Sequence, residues 1–372
     1  MKSLKIALTV NAAWNVWNFR RPLVEALIGD GHDVVVVSPE DDSATKLKHL
    51  GCRFIPIKMD EAGLNPFNDF GLLNRLHNVF HTLKPDVILG FTIKNNLYGA
   101  IAARHAGIPF IPNVTGLGTA FLSGGPLRFA AETLYRIAFA DLPVVFFQND
   151  DDQQLFINRG LTASGQSRLL PGSGINLQAF AATPYPSEAA GIKFLMISRI
   201  LRDKGVFEYA DAARKVRQGH PTAKFQLLGS IDTRNRTAIG QATVDGWRES
   251  HSVDYLGTSE DVRIEIASAH CIVLPSYREG APRTLIEAAA MARPVIATDV
   301  AGCRSVVDDG STGLLCAPRD ANSLASACIK LMTRTREERE EMGRLGRLKM
   351  MREFDEAIVI AAYRDAIMAV TA

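Results

Sequence analysis

The chain has 372 residues, of which 47% are hydrophobic and 22% are charged. This length exceeds that of one ordinary domain and suits two, and the composition is typical of a globular protein with a well-filled core. The 42 basic and 40 acidic side chains leave a formal net charge of +2. We therefore expect no nucleic-acid partner, because nucleic-acid-binding domains are usually strongly basic.

Five cysteines form neither a CxxC pair nor a zinc-like spacing with histidine, and they are interpreted as small apolar residues in a reducing compartment. The apolar run that opens the chain is too short for a signal peptide, and no uncharged apolar stretch of about 18 residues occurs. The sequence thus predicts a cytoplasmic protein. Association with the inner face of the plasma membrane stays open.

Strand-like and helix-like segments alternate along the first half. Continuous β-branched runs such as KIALTV (5–10) and DVVVVSP (33–39) are separated by segments with helical spacing. This rhythm predicts parallel sheets covered on both faces. The proline-containing stretch 179–191 interrupts it and is interpreted as a linker, after which the rhythm restarts.

We therefore predict an N-terminal domain at 1–178, a C-terminal domain at 192–352, and a final helix at 353–372 that packs back on the N-terminal domain. Two similar α/β halves predict a cleft between the carboxyl ends of two sheets. Ligands bind at those edges in doubly wound folds.

A segment with two glutamates follows the strand-like run CIVLPS (271–276). Pro282 suits the first turn of a helix, whose unpaired N–H groups and positive dipole end favour a phosphate. Glu279 lies just before this helix and Glu287 lies inside it. Because carboxylates repel a diphosphate, we expect them to face sugar hydroxyls. Spacing alone is equally compatible with a capping Glu279 and a solvated Glu287.

Two cations follow the strand-like run KFLMI (193–197). Arg199 emerges at the carboxyl end of this strand, and Lys204 follows one short loop later. Together they are predicted to neutralise a diphosphate leaving group, an interaction that strengthens as the leaving group departs. The alternative is an ordinary surface pair of basic residues.

Four segments resemble family 4 of the retaining glycosyltransferases in order and spacing: ISRILRDKG (197–205), QLLGSID (226–232), VDYLGTSEDV (253–262) and the long run from 274 to 315. Within the last, EGAPRTLIE fits the E-x7-E motif of that family. The resemblance implies an α/β, GT-B fold: two Rossmann-like doubly wound domains facing a central cleft, with a nucleotide-sugar donor on the C-terminal domain.

The resemblance also implies roles for residues. Arg199 and Lys204 would hold the donor diphosphate and Glu279 would contact the donor sugar, which makes these three the predicted catalytic residues. Glu287 would contact the ribose. The remaining predicted donor-binding residues lie in two loops, Gly280, Ala281, Pro282, Arg283 and Thr284 near the phosphates and sugar, and Thr258 and Ser259 near the base. Neither a metal nor a cofactor is implied.

The segment 91–121, with its stretches FTIKNNLYG and TGLG, resembles the branch that acts on undecaprenyl-diphosphate-linked glycans. The predicted acceptor-binding residues are Asn15, Lys94, Thr115 and Gly116, with Gly118 in the same small-residue loop. Two departures stand out. The loop after the first strand, 11–19, has none of the glycine that many members carry there, and Ser305 stands where many members have glutamate.

Three further features leave alternatives. The helix-like run 126–140 spaces Arg128, Glu132 and Arg136 by about one turn, so it either rests on a bilayer or packs into its own domain. Asp150 to Asp152 is interpreted as a helix start rather than a metal site. No histidine stands at the strand end near Lys94, so no general base is predicted.

The sequence therefore predicts a retaining, metal-independent glycosyltransferase. It would move a hexose or N-acetylhexosamine from a nucleoside diphosphate, with UDP expected, to a polyprenyl-diphosphate-linked glycan in surface polysaccharide or glycoprotein glycan synthesis. The alternatives are a GT-B epimerase that acts on a UDP-sugar alone, a non-catalytic sugar-binding protein, and a peripheral membrane adaptor.

Overall fold

A computed structural model describes residues 2–60, 66–117, 125–231, 235 and 237–372. The chain forms two compact units. Unit 1 comprises Met1–Gly174 and Glu356–Ala372, and unit 2 comprises Ile175–Asp355. The predicted linker at 179–191 therefore lies inside unit 2, and most of the predicted C-terminal helix segment belongs to unit 1.

Unit 1 is built on a seven-stranded parallel sheet with the strand order β3-β2-β1-β4-β5-β6-β7. Its central strands are buried on both faces, as continuous β-branched and aliphatic runs predict. The strands are β1 (Lys5–Thr9), β2 (Asp33–Ser38), β3 (Arg53–Pro56), β4 (Val87–Phe91), β5 (Phe110–Val114), β6 (Val145–Phe147) and β7 (Ser167–Leu169).

Helices cover both faces of this sheet. The helices of unit 1 are α1 (Ala13–Phe19), α2 (Arg21–Gly29), α3 (Ser43–His49), α4 (Pro66–Leu83), α5 (Ile93–Ala106), α6 (Gly125–Phe139), α7 (Asp150–Asn158) and α15 (Glu356–Thr371). Helices α4 to α7 bury apolar side chains in the core on one face. Helices α1 to α3 and α15 do so on the other.

Unit 2 repeats this plan with a six-stranded parallel sheet of order β10-β9-β8-β11-β12-β13. Its strands are β8 (Lys193–Ile197), β9 (Lys224–Leu228), β10 (Asp254–Tyr255), β11 (Cys271–Leu274), β12 (Val295–Thr298) and β13 (Gly313–Cys316). Its helices are α8 (Val206–Gly219), α9 (Gln241–Glu249), α10 (Val262–Ser268), α11 (Arg283–Ala290), α12 (Ala301–Val306), α13 (Ala321–Met332) and α14 (Arg336–Glu353).

Two local predictions need correction. The stretch 11–19 was expected to be a loop, but it forms α1, because Ala13 and Val16 pack into the core on one helical face. Helix α5 begins at Ile93, so Lys94 lies in a helix rather than at the end of a strand.

The segment that was predicted to be a linker is fastened to unit 2 by buried polar groups. Arg293, which is fully buried, donates hydrogen bonds to the carbonyl oxygens of Thr183 and Pro184 at 3.0 and 2.7 Å. His270 accepts a hydrogen bond from the Lys193 amide at Nδ1 and contacts the Ser187 carbonyl through Nε2. These bonds explain why a stretch rich in prolines and small residues is nevertheless ordered.

Candidate functional site

The loops that follow β8 and β11 lie in direct backbone contact. These strands are neighbours in a parallel sheet, so their carboxyl ends emerge side by side. Gly205 has a left-handed backbone, with φ of 75°, and any Cβ there would collide with the carbonyl oxygen of Pro275. The Tyr277 amide also donates to the Asp203 carbonyl at 2.9 Å. The two polar segments that were singled out in the sequence therefore form one site.

An ion pair joins these loops. The Lys204 ammonium lies 2.5 Å from Oε1 of Glu279, and the two side chains are 23% and 12% exposed. Burial raises the pKa of the Cys303 thiol, and the nearby Glu279 carboxylate raises it further while Lys204 acts in the opposite direction. Glu279 is thus an ion-paired carboxylate at the edge of the sheet, not a helix cap, which settles one of the alternatives left open by its spacing.

Arg199 stands differently. It follows β8 by two residues, is exposed, and makes no side-chain hydrogen bond or ion pair within the described part of the chain. The structure therefore brings Lys204 and Glu279 together but does not add Arg199 to their pair.

The start of α11 is held against the end of β8. Pro282 caps this helix, and the Thr284 hydroxyl donates to the Ile197 carbonyl at 3.2 Å. Gly302 at the start of α12 packs so closely that a Cβ would collide with the carbonyl oxygen of Gly280. Ala281 lies between these contacts, half-buried. The predicted phosphate-facing loop is thus clamped on both sides, with the first N–H groups of α11 at the carboxyl edge of the sheet.

Glu287 is buried, and the alternative of a solvated glutamate is wrong. Its Oε1 accepts a hydrogen bond from Nε of Arg283 at 2.7 Å, with side chains 11% and 30% exposed. Burial raises the pKa of the Glu287 carboxyl, while the Arg283 guanidinium acts in the opposite direction. A buried carboxylate with one charged neighbour on its own helix is the second acidic group of the site.

The loop with Thr258 and Ser259 follows β10, two strands away from β8. Its backbone is tied to the loop after β9, because the Gly229 amide donates to the Gly257 carbonyl at 2.7 Å. Thr258 is exposed, and the Ser259 hydroxyl accepts a hydrogen bond from the Asp261 amide. Both residues lie at the same edge of the sheet as Lys204 and Glu279, without contacting them.

In unit 1, Lys94 is already paired. Its ammonium lies 2.7 Å from Oδ1 of Asp69, and the hydroxyl of Tyr98 donates to the other oxygen of that carboxylate. Asp69 comes from α4, which the strand pattern did not single out. The charge of Lys94 is therefore compensated by Asp69, and Lys94 is not an unpaired cation that awaits a phosphate.

The other predicted acceptor residues surround the carboxyl edge of the first sheet. Asn15 lies in α1, and its side-chain carbonyl is buried without a partner among the described residues. Thr115 and Gly116 follow β5, and no atom of the described residues lies within 4 Å of a Cβ at Gly116. Gly118 lies outside the described residues.

The acidic run at 150–152 begins α7, where Asn149 rather than an aspartate is the capping residue. Among the described residues, no group of three His, Cys, Asp or Glu side chains has a geometry that would hold a metal ion. Likewise, no described helix is long and apolar enough to cross a bilayer.

Two protein families match the two halves of the chain. Residues 5–149 match the family described as glycosyl transferase 4-like, and residues 191–334 match the glycosyl transferases group 1. The chain is therefore a glycosyltransferase that carries a family 4-like region followed by a group 1 region. The Lys204–Glu279 pair and the start of α11 lie within the second matched region.

Relatives of similar length carry specific names. The chain is 28% identical over 345 residues to the N,N'-diacetylbacillosaminyl-diphospho-undecaprenol alpha-1,3-N-acetylgalactosaminyltransferase of Campylobacter jejuni, covering 88% of this chain and 89% of that protein. It is 25% identical to the capsular polysaccharide glycosyltransferase CapM of Staphylococcus aureus, over 96% and 95%. An Escherichia coli UDP-Gal:alpha-D-GlcNAc-diphosphoundecaprenol alpha-1,3-galactosyltransferase is 22% identical over 82% of each chain.

Solved structures agree with the fold. A glycosyltransferase from Rickettsia africae superposes with a TM-score of 0.76 at 17% identity, covering 100% of this glycosyltransferase and 99% of the other. The Anabaena protein HepE, solved in complex with UDP and glucose, superposes with a TM-score of 0.78 at 18% identity, over 98% and 99%. The fold is GT-B, with a Rossmann-like parallel sheet in each unit, as predicted.

Proposed function

We propose that this glycosyltransferase moves a hexose or N-acetylhexosamine from a UDP-sugar to a polyprenyl-diphosphate-linked glycan, with retention at the anomeric carbon and without a metal ion. The observation that carries the donor half is the contact of Lys204 with Glu279 at 2.5 Å, beside the start of α11. It joins a cation suited to a diphosphate with a carboxylate suited to sugar hydroxyls.

The reaction breaks the bond between the anomeric carbon and the diphosphate oxygen, which leaves with the electron pair. Negative charge grows on the diphosphate as this bond breaks. Lys204, exposed Arg199 and the first N–H groups of α11 are the groups that stabilise that charge in our proposal. Glu279 orients the sugar, Glu287 binds the ribose, and the loop at Thr258 and Ser259 lies near the base.

Retention requires the acceptor oxygen to join the face from which the diphosphate leaves. We assign the acceptor proton to the departing phosphate, because the strand end before Lys94 offers no histidine as a base. Asn15, Thr115 and Gly116 are the groups proposed to contact the acceptor. Lys94 already forms an ion pair with Asp69. It can bind an acceptor phosphate only if its ammonium contacts both groups or leaves Asp69.

A lipid-linked acceptor is supported by two relatives whose names specify diphospho-undecaprenol substrates. It is also supported by helix α6, where Phe129 is 71% exposed and Ile137 is 52% exposed, close to Arg128 and Arg136. Exposed apolar side chains beside arginines suit the surface of an anionic bilayer. We propose that the protein works on the inner face of the plasma membrane.

The test is transfer by the purified full-length chain of labelled sugar from a panel of nucleotide sugars, with a short-chain prenyl-diphosphate glycan as acceptor. A thermal-shift screen selects the donor first, because a ligand that binds the native state raises the unfolding midpoint. Product that forms only when both substrates are present, with the anomeric configuration of the donor, supports the proposal. Conversion of donor without acceptor would instead support the epimerase, and binding without turnover a sugar-binding protein.

A further inference from the structure

Arg283 and Glu287 form a pair one turn apart at the start of α11. Nε of Arg283 donates to Oε1 of Glu287 at 2.7 Å. Glu287 is otherwise shielded from water, so its charge is costly unless a partner compensates it. Arg283 is the cation that lowers the pKa of this carboxyl against the opposing effect of burial.

The position of Arg283 is unfavourable for the helix itself. It is the first residue of α11, where the positive end of the helix dipole repels a cation. An arginine placed four residues before a glutamate is also the weaker order for a helical ion pair. Helix stability therefore does not account for an arginine at this position. Compensation of the buried Glu287 carboxylate does account for it.

The backbone beneath the pair is already held. Thr284 is bonded to the end of β8, and Leu285 and Ile286 are buried in the core beside it. What remains adjustable is the torsion of the Glu287 side chain. The hydrogen bond from Nε of Arg283 takes one lone pair of Oε1 and so sets how the rest of the carboxylate faces the site.

We infer that Arg283 is a positioning residue, which orients the Glu287 carboxylate and maintains its charge so that it can accept hydrogen bonds from both ribose hydroxyls of the donor. The inference rests on the proposed function, because that proposal assigns Glu287 to the ribose. It adds a side-chain role for Arg283 in choosing ribonucleotides over deoxyribonucleotides.

The experiment measures dissociation constants by calorimetry for UDP, 2′-deoxy-UDP and 3′-deoxy-UDP, using full-length chains. The variants are Arg283→Met, Glu287→Gln, and both together. Arg336→Met is the matched control, because Arg336 and Glu340 form a pair with the same spacing and the same 2.7 Å distance on α14. If the wild type does not bind UDP, the series is run with GDP and ADP and their deoxy analogues.

We expect the wild type and the control to bind UDP about 10-fold more tightly than either deoxy analogue, the scale of one hydrogen bond to a charged group. Arg283→Met and Glu287→Gln should each bring this ratio close to one. In the Glu287→Gln background, Arg283→Met should have no further effect, because the two residues then act through one interaction.

Two results separate the possible failures. If Arg283→Met weakens UDP binding equally with glutamate and with glutamine at position 287, Arg283 acts on the nucleotide directly and the inference is overturned. If Glu287→Gln keeps the wild-type ratio, the ribose assignment in the proposed function is what fails. Should Arg283→Met not fold, Arg283→Lys replaces it in the cycle, since lysine keeps the compensating charge but not the guanidinium geometry.

Discussion

The side-chain amide of Asn113 on β5 donates a hydrogen bond to the hydroxyl of Tyr363 on α15 at 2.9 Å, across 250 residues of sequence. Both side chains are almost fully buried in unit 1. The ring of Tyr363 also packs on Phe91 and Phe146. This contact explains why the last helix belongs to the first unit, and why it lies beneath the strand that leads to Thr115 and Gly116.

Tyr363→Phe should destabilise unit 1. The phenylalanine keeps the ring contacts but leaves the buried amide of Asn113 without its acceptor, which costs about 1–3 kcal/mol. Urea unfolding followed by circular dichroism measures the loss. Tyr255→Phe is the comparison, since that half-buried tyrosine hydroxyl donates to the Gly229 carbonyl in unit 2. Equal losses in the free energy of unfolding would contradict the prediction that the buried Asn113–Tyr363 hydrogen bond matters more than the half-buried one.

Lys204→Ala and Glu279→Ala should each lower kcat for transfer by about 100-fold, or about 3 kcal/mol, the scale of removing one strong electrostatic group at a reacting centre. Transfer assays at saturating donor measure the effect. Arg21→Ala serves as control, because Arg21 and Glu25 form an exposed pair in unit 1. Near wild-type rates in both site variants would refute the role of this pair.

Gly302→Ala should weaken donor binding. A methyl group there meets the backbone of Gly280, which cannot turn aside as a side chain can, so the loop between Glu279 and α11 must shift. We expect the dissociation constant of the donor to rise by about 10-fold or more. Gly246→Ala is the matched control, because Gly246 also lies in a helix of unit 2, and no atom of the described part of the chain lies within 4 Å of a Cβ there.

His270 should make unit 2 sensitive to mild acid. Burial lowers its pKa, against smaller opposing effects of the Ser187 carbonyl and Glu188, and its Nδ1 must stay unprotonated to accept the Lys193 amide. Below about pH 6.5 the unfolded chain binds a proton that the fold resists. The contribution of neutral His270 to the free energy of unfolding is therefore complete above that pH. It is lost as the pH falls from there through the lowered native pKa.

The measurement is urea unfolding at pH 7.5 and 5.5 for the wild type and for His270→Gln, which cannot titrate. The wild type should lose more stability between the two pH values than the variant, by up to about 1.4 kcal/mol per pH unit. An equal loss in both proteins would show that another group is responsible.

The double substitution Phe129→Ser and Ile137→Ser should reduce binding to vesicles that contain anionic phospholipid, because it removes exposed apolar area from α6. Co-sedimentation detects the loss, and turnover of a soluble short-chain acceptor should stay within about two-fold. Ile264→Ser, a change of an equally exposed side chain in unit 2, controls for loss of apolar surface in general. Unchanged vesicle binding in the double variant would contradict the assignment of this helix to the membrane.

Much of the fold could be predicted from local patterns. Apolar runs such as DVVVVS mark buried parallel strands, because a strand covered on both faces needs no alternation. Short helices were harder. Helix α1 escaped prediction because its sequence is short and partly polar, and only Ala13 and Val16 reveal the face that it buries. Helix α4 was not singled out, although Pro66 at its first residue is a usual helix-start signal.

By itself the sequence determined that two cations and two glutamates follow strands in the second half, since these facts depend only on order and spacing. Only the tertiary structure decided how they pair. Lys204 meets Glu279 across 75 residues because β8 and β11 are neighbours, and strand order is not written in any local window. Burial likewise decided that Glu287 relies on Arg283 and that Lys94 is neutralised by Asp69, because a charge withdrawn from water takes whichever opposite charge the packing brings near.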